Sequence, residues 1–214
     1  MAATEITTFN INPILEANGQ RTADDVIQEA VNALREASNP DQFVLGTQVQ
    51  DNGIVQITSK WDPSAAQGSD SPLKRLSSIL GPLQDNYHVI FHQEAAEDNN
   101  PATANVVEFV KTRFPASRVS PEFQREIEKD FLRFDGIYVE ELKGHLGCTY
   151  GWVVETQKIE GDDVKSFLVM RGWESMDSFK QAMQTEAFKK SIPILMGWNA
   201  PFQMWHVQRK ALVE

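Results

Sequence analysis

The second half of this chain repeats the layout of its first. Val55-Gln56-Ile57-Thr58-Ser59-Lys60-Trp61-Asp62 is a strand-like run that ends in Trp and an acid, and Leu168-Val169-Met170-Arg171-Gly172-Trp173-Glu174 is another. Each is followed by a helical stretch, an Ile-Leu pair (Ile79-Leu80, Ile194-Leu195) and a last strand carrying aromatics and His. Self-similarity on this scale governs the fold, because each copy must obey one element order. It points to one small unit duplicated and fused, with a shared cavity between the copies.

The local signals fill in that order. In the first half a strand runs from Glu5 to Ile11, and Asn12-Pro13 breaks it. Thr22 is placed to cap a helix from about Ala23 to Ala37, whose Val26, Ala30, Val31 and Leu34 keep the helical period. Asn52-Gly53 between the strand-like runs 42–50 and 54–61 predicts a tight hairpin, whose turn residues accept positive φ. A helix around Pro72–Leu83 and a strand Tyr87–His92 close the half. Residues 98–104 have linker composition, so the expected repeats are 1–97 and 105–214. In the second half a strand spans 105–113. Ser120-Pro121-Glu122 starts a helix with the stripe Phe123, Ile127, Phe131 and Phe134. Strands at 148–157 and 166–173, read as a hairpin across Glu160-Gly161-Asp162-Asp163, a helix over 175–190 and a strand over 202–208 follow.

Each half thus reads strand–helix–strand–strand–helix–strand, the ferredoxin-like order. Several strands are apolar on both faces, among them Val106-Val107, Phe109-Val110 and Phe167-Leu168-Val169-Met170. A sheet with one wet face would alternate, so both faces need cover. Helices provide one cover. Packing the two sheets face to face, as a barrel within one chain, provides the other. The expected class is α+β.

The run Phe167–Trp173, then Glu174-Ser175-Met176-Asp177-Ser178-Phe179, then the helix up to Phe188-Lys189-Lys190 resembles the dimeric α/β-barrel superfamily, most of all its antibiotic-biosynthesis-monooxygenase branch. In that branch a strand ending in an aromatic leads into a Ser/acid helix start. The first half departs from the pattern at Pro63-Ser64-Ala65-Ala66-Gln67-Gly68. The resemblance implies a tandem member whose single chain supplies both halves. It implies one of several functions: cofactor-independent oxygenation of aromatic polyketides, haem degradation, isomerisation, decarboxylation, or none.

Composition narrows the partners. A formal net charge of -10 disfavours nucleic acid and anionic membrane surfaces. The single cysteine, Cys148, suits a reducing compartment, and the N-terminus does not read as a secretory signal, so a cytoplasmic protein is expected. No phosphate loop, His-Glu-x-x-His, paired Cys or Gly-x-Ser-x-Gly is present, so no cofactor or metal is expected.

The candidate site residues come from strands whose inward face would line the barrel, where unused polar groups are costly. His206, between Trp205 and Val207, suits a general base. Arg171 suits an oxyanion or carboxylate, and Glu108 suits a buried base or Arg171's partner. Tyr150 and Trp152 share a strand face and, with Trp173 and Met204, suit a flat aromatic ligand. His88 and His92 share a face of the matching strand in the first half but stand too far apart to chelate one metal unaided. Each has a plainer reading as core packing, an internal ion pair or a satisfied core histidine. His145, after Gly144, reads as exposed, and Cys148 as an inert buried thiol. The leading expectation is an enzyme acting on a planar, apolar small molecule by proton transfer, as a monomer or homodimer. The rival is a non-catalytic ligand-binding or interaction protein with a filled barrel.

Overall fold

The structure, a computed structural model, describes residues 3–17, 19–36, 43–61, 72–92 and 100–213. Two compact units divide the chain: residues 1–92 with 205–214, and residues 93–204. The loop 63–68 and residues 98 and 99 of the expected linker lie outside the described residues.

The first unit contains β1 (Ala3–Asn10), α1 (Asn12–Ala17), α2 (Ala23–Arg35), β2 (Phe43–Gln48), β3 (Ile54–Trp61), α3 (Pro72–Leu80) and β4 (Leu83–His92). It also holds most of β9 (Phe202–Val213), from Trp205 onward. All pairings are antiparallel, in the order β4–β1–β3–β2–β9. The first four strands keep the ferredoxin-like order. Thr22 caps α2 in a capping box with Asp25, which also places negative charge at the positive end of the helix. The apolar stripe of α2 then buries Val26, Ala30, Val31 and Leu34 against Phe9, Leu45, Val55 and Ile57.

The last strand departs from the sequence expectation of a second repeat running 105–214. Residues 205–214 belong with the first unit, where Val207–Val213 pair with Phe43–Gln48 of β2. β9 is 12 residues long, twice the length of β2, so its C-terminal part is free to add to that edge. Gly46 permits the approach: a Cβ there would sit 2.6 Å from the Gln208 carbonyl oxygen.

The second unit contains β5 (Val106–Pro115), α4 (Pro121–Tyr138), β6 (His145–Val153), β7 (Gln157–Ile159), β8 (Asp162–Trp173), α5 (Met176–Ala182) and α6 (Glu186–Met196). β8 is its central strand, paired with β5 on one side and with β6 and β7 on the other. α4 begins at the Ser120 cap, and Ile127, Phe131, Phe134 and Tyr138 are buried as its stripe predicts. The single helix expected over 175–190 is instead α5 and α6, because Thr185 accepts the Phe188 amide and starts a new helix. Part of the expected linker is ordered: Pro101–Thr103 form a 3-10 turn and Ala104 is buried. That segment crosses β8 at Gly172, where a Cβ would lie 2.7 Å from the Leu146 carbonyl and 2.9 Å from the Ala104 methyl.

Both expected hairpins form, but the turn at Asn52-Gly53 lacks the expected positive φ. Asn52-Gly53 sits in a five-residue connection organised by Asp51, which accepts the amides of Gly53 at 2.9 Å and Ile54 at 3.0 Å. Positive φ occurs at Glu160 (54°) and Gly161 (96°), the two residues between paired Ile159 and Asp162. This is the two-residue geometry that the strand twist favours.

Candidate functional site

Register fixes which side chains share a face. In β8 the odd positions Phe167, Val169, Arg171 and Trp173 stand together, opposite Glu108 in β5 and Cys148 and Tyr150 in β6. Phe167, Val169, Tyr150 and Trp173 pack with Phe131, Phe134 and Phe179 of the helices. Arg171, Glu108, Tyr150, Trp152 and Trp173 therefore lie on the helix-covered face. The expectation that they line the inward barrel face is corrected: the pleat puts Leu168, Met170, Val107 and Phe109 on the other side.

On that covered face a charge cluster forms. Arg171 is only 2% exposed. It donates to Asp135 of α4 as an ion pair, donates from Nη1 to His145 Nε2 at 3.0 Å, and stands over the Tyr138 ring at 5.2 Å. Guanidinium only donates, so His145 Nε2 accepts and the ring is neutral with its proton on Nδ1. Burial and the adjacent guanidinium lower the His145 pKa to about 4. Burial opposes the Arg171 charge, but Cys148, Asp135 and Glu108 outweigh it and hold its pKa up.

Glu108 is not consumed by this ion pair. It lies across the strand pair from Arg171, and its Oε2 accepts Trp173 Nε1 at 2.9 Å. Burial raises its pKa, opposed by the Arg171 charge and the Trp173 bond. Tyr138 closes the cluster, its phenol pushed up chiefly by burial. A carboxyl poised toward its neutral form beside a fixed cation is suited to proton transfer with anion stabilisation.

The remaining residues are set apart from this cluster. Tyr150 packs its ring 4.9 Å from Phe131. Trp152 donates to Glu128 at 2.9 Å and packs on Phe167 at 5.4 Å. Met204 is 38% exposed. His206 is buried in the first unit, clamped by Gln50. Its backbone amide donates to Gln50 Oε1 at 3.0 Å, which orients the amide so that Nε2 donates to His206 Nδ1 at 2.9 Å. The His206 proton thus sits on its own Nε2, and burial lowers its pKa to about 4. His88 stands across from Glu5, with Nε2 3.8 Å from the carboxylate, while His92 is exposed at the end of β4.

Sequence reasoning missed Asp135, Tyr138 and His145. Tyr138 and Asp135 follow Phe134 and Phe131 by four residues, so the period of the α4 stripe already placed them at its edge. His145 is half-buried rather than exposed, because it opens β6 opposite Trp173. Cys148 is half-buried, opposite Arg171. Among the described residues no three His, Cys, Asp or Glu side chains gather as a metal site, and no helix is long and apolar enough to cross a membrane.

No family model and no curated protein matches the sequence. Solved structures do. An anthrone oxidase-like protein superposes with a TM-score of 0.63 at 13% identity, over 99% of this chain and 92% of the other. A Lactobacillus acidophilus protein assigned as a monooxygenase gives 0.58 at 11% identity, over 99% and 95%. A protein assigned as a chlorite dismutase gives 0.58 at 7% identity, over 98% and 95%. At such identities the likeness is one of fold, and it spans unlike chemistries. The chain thus has the α+β fold found among monooxygenase-like proteins.

Proposed function

We propose that this chain is an enzyme that takes a planar, largely apolar small molecule, such as a polyketide-derived aromatic, and activates it by proton transfer without a cofactor. The observation that carries the reading is Glu108: a buried carboxyl with a raised pKa, beside an Arg171 already neutralised by Asp135. In this reading Glu108 takes a proton from an acidic C–H or O–H of the substrate, and Arg171 stabilises the anion that forms. Oxygenation then proceeds by direct attack of the substrate carbanion on dioxygen. Isomerisation, cyclisation and decarboxylation share the first step. His206, held neutral in the first unit, is the second candidate base. The matching registers Ala3↔Trp61 with Glu5↔Ser59 and Val106↔Trp173 with Glu108↔Arg171 support descent of both halves from one unit.

The test is oxygen uptake and product formation with a panel of anthrone-like and polyphenolic compounds. Turnover lowered roughly 100-fold or more in Glu108→Gln, with substrate binding retained, supports the reading. Turnover that is unchanged in both Glu108→Gln and Arg171→Lys sinks it.

A second reading, a non-catalytic ligand-binding or interaction protein, draws on the rings around the cluster. Phe114, Trp152, Phe167, Tyr150, Phe131 and Trp198 form continuous contacts at 4.9–6.1 Å between helices and sheet. Absence of turnover with a ligand-induced shift in Trp fluorescence favours the ligand-binding form of this reading, and absence of both favours an interaction protein.

A further inference from the structure

We infer that the outer face of α4 is a self-complementary surface on which a second copy of this chain docks, antiparallel and about a two-fold axis. The helix runs Pro121–Tyr138, and its inward stripe is spent on the core. The opposite face presents Glu122, Arg125, Lys129, Leu132 and Gly136, and Glu140 follows in the 3-10 turn Val139–Glu141; all are exposed. Leu132 is 42% exposed, and Val139 beside it is 38% exposed.

Gly136 makes the face unusual. It lies inside the helix, where glycine is less favourable than alanine. Its φ is not positive, and a Cβ there would meet nothing within 4 Å, so neither backbone geometry nor packing within the chain requires it. What glycine supplies is a shallow hollow one turn beyond Leu132, into which a neighbouring side chain fits.

The charges complete the fit. Lys129 lies at one end of the apolar patch and Glu140 at the other, and neither makes an ion pair among the described residues. An antiparallel copy centred between Leu132 and Gly136 sets each Leu132 over the Gly136 of the second copy. The same operation sets Lys129 beside Glu140 of the second copy, twice over. One patch meeting itself in this way is the signature of an isologous two-fold interface. A parallel copy would instead oppose like charges. One helix pair covers less than the roughly 1,600 Å² of a standard interface, so the dimer is expected to be weak and concentration-dependent.

Sedimentation velocity of the full chain, from micromolar to near-millimolar concentration in low salt, tests this. The expected result is a monomer–dimer equilibrium that Leu132→Lys weakens at least tenfold. Gly136→Leu, which fills the hollow, weakens it similarly, and Lys129→Glu is rescued by Glu140→Lys in the double variant. All four positions face solvent, and a melting temperature no lower than that of the parent chain confirms folding in each variant. A monomer at every concentration overturns the proposal and leaves the face to another partner or to none. A dimer indifferent to Leu132→Lys overturns it as well.

Discussion

The two units place a glutamate at the same point of their sheets and treat it in opposite ways. Glu5 and Glu108 each stand two residues into the first strand, after a residue paired with Trp61 or Trp173. In the first unit the residue opposite is Ser59, and the Glu5 carboxylate is met by neutral donors: Asn86 Nδ2 at 2.8 Å and Ser59 Oγ at 3.4 Å. In the second unit the residue opposite is Arg171, and the Glu108 carboxyl is sealed with it under α4. A half-buried anion needs only hydrogen bonds, whereas a fully buried one needs a cation or a proton. One serine-to-arginine difference between positions of matching register therefore separates a half-buried polar cluster from a charged core.

The largest effect should come from breaking the charged core. Arg171→Ala leaves Glu108 buried without its cation and His145 without its donor, and should cost about 3–5 kcal/mol of unfolding free energy. Glu5→Gln in the first unit keeps most of its hydrogen bonds and should cost less than about 1 kcal/mol. Urea denaturation of the two variants decides it. Similar costs would mean that the two glutamates are not treated differently after all.

The next comparison is by pH. The folded His206 has a pKa of about 4 against 6.5 for the free group, so below pH 6.5 the unfolded chain binds a proton that the folded chain refuses. Stability therefore falls as pH drops from 6.5 to 4, by at most about 3 kcal/mol for this group. His145 contributes in the same direction in the second unit. Glu108 acts in the opposite sense: its folded pKa is raised above 4.5, so its ionisation lowers stability as pH climbs above that value. Denaturation midpoints should show His206→Gln flattening the acid limb and Glu108→Gln removing part of the loss on the alkaline side. An unaltered acid limb in His206→Gln would show that burial does not hold the ring neutral.

How much of this was legible beforehand depends on the range of the signal. Thr22, Ser120, the α4 stripe and the both-face apolar strands are local patterns, and the structure follows them. The covered face of Arg171 and Glu108 was not legible. Period two says that alternate residues share a face, but it does not say which face the helices take. The destination of β9 was not legible either, because edge addition depends on the close approach at Gly46. Asp135 and His145 reach Arg171 across 36 and 26 residues of sequence, a distance that no spacing rule spans. Asn52-Gly53 marked the β2–β3 hairpin but not its turn geometry, because the side chain of Asp51 offered the backbone another turn.

A smaller effect separates the neutral acceptor of a buried indole in the first unit from the ionisable acceptor in the second. Trp205 Nε1 donates to Gln56 Oε1 at 2.8 Å, both buried, where Trp173 donates to Glu108. Gln56→Leu keeps the volume and orphans the indole N–H, which should cost roughly 1–3 kcal/mol at all pH values. A pH-dependent cost would mean that a titrating group, not the amide, holds Trp205.

The smallest contrast lies at the helix starts. α2 carries a full capping box: Thr22 Oγ1 accepts the Asp25 amide at 3.2 Å, and Asp25 Oδ2 accepts the Thr22 amide at 2.8 Å. α4 has one half of this, with Ser120 Oγ accepting the Phe123 amide at 3.2 Å, and it relies on Pro121 to preset the first turn. Thr22→Ala removes the acceptor of the Asp25 amide and the hydroxyl that donates to Asp25 Oδ2, leaving only the backbone half of the box, so its cost should reach the upper part of the roughly 0.5–2 kcal/mol range for lost caps. Ser120→Ala should stay near the lower part, because proline limits the conformations the unfolded chain gains. Thr22→Ser, which restores the acceptor, should recover nearly all of the loss. If Ser120→Ala proves the costlier of the two, the stability of α4 depends on its first turn more than on the buried stripe that sets Asp135 against Arg171.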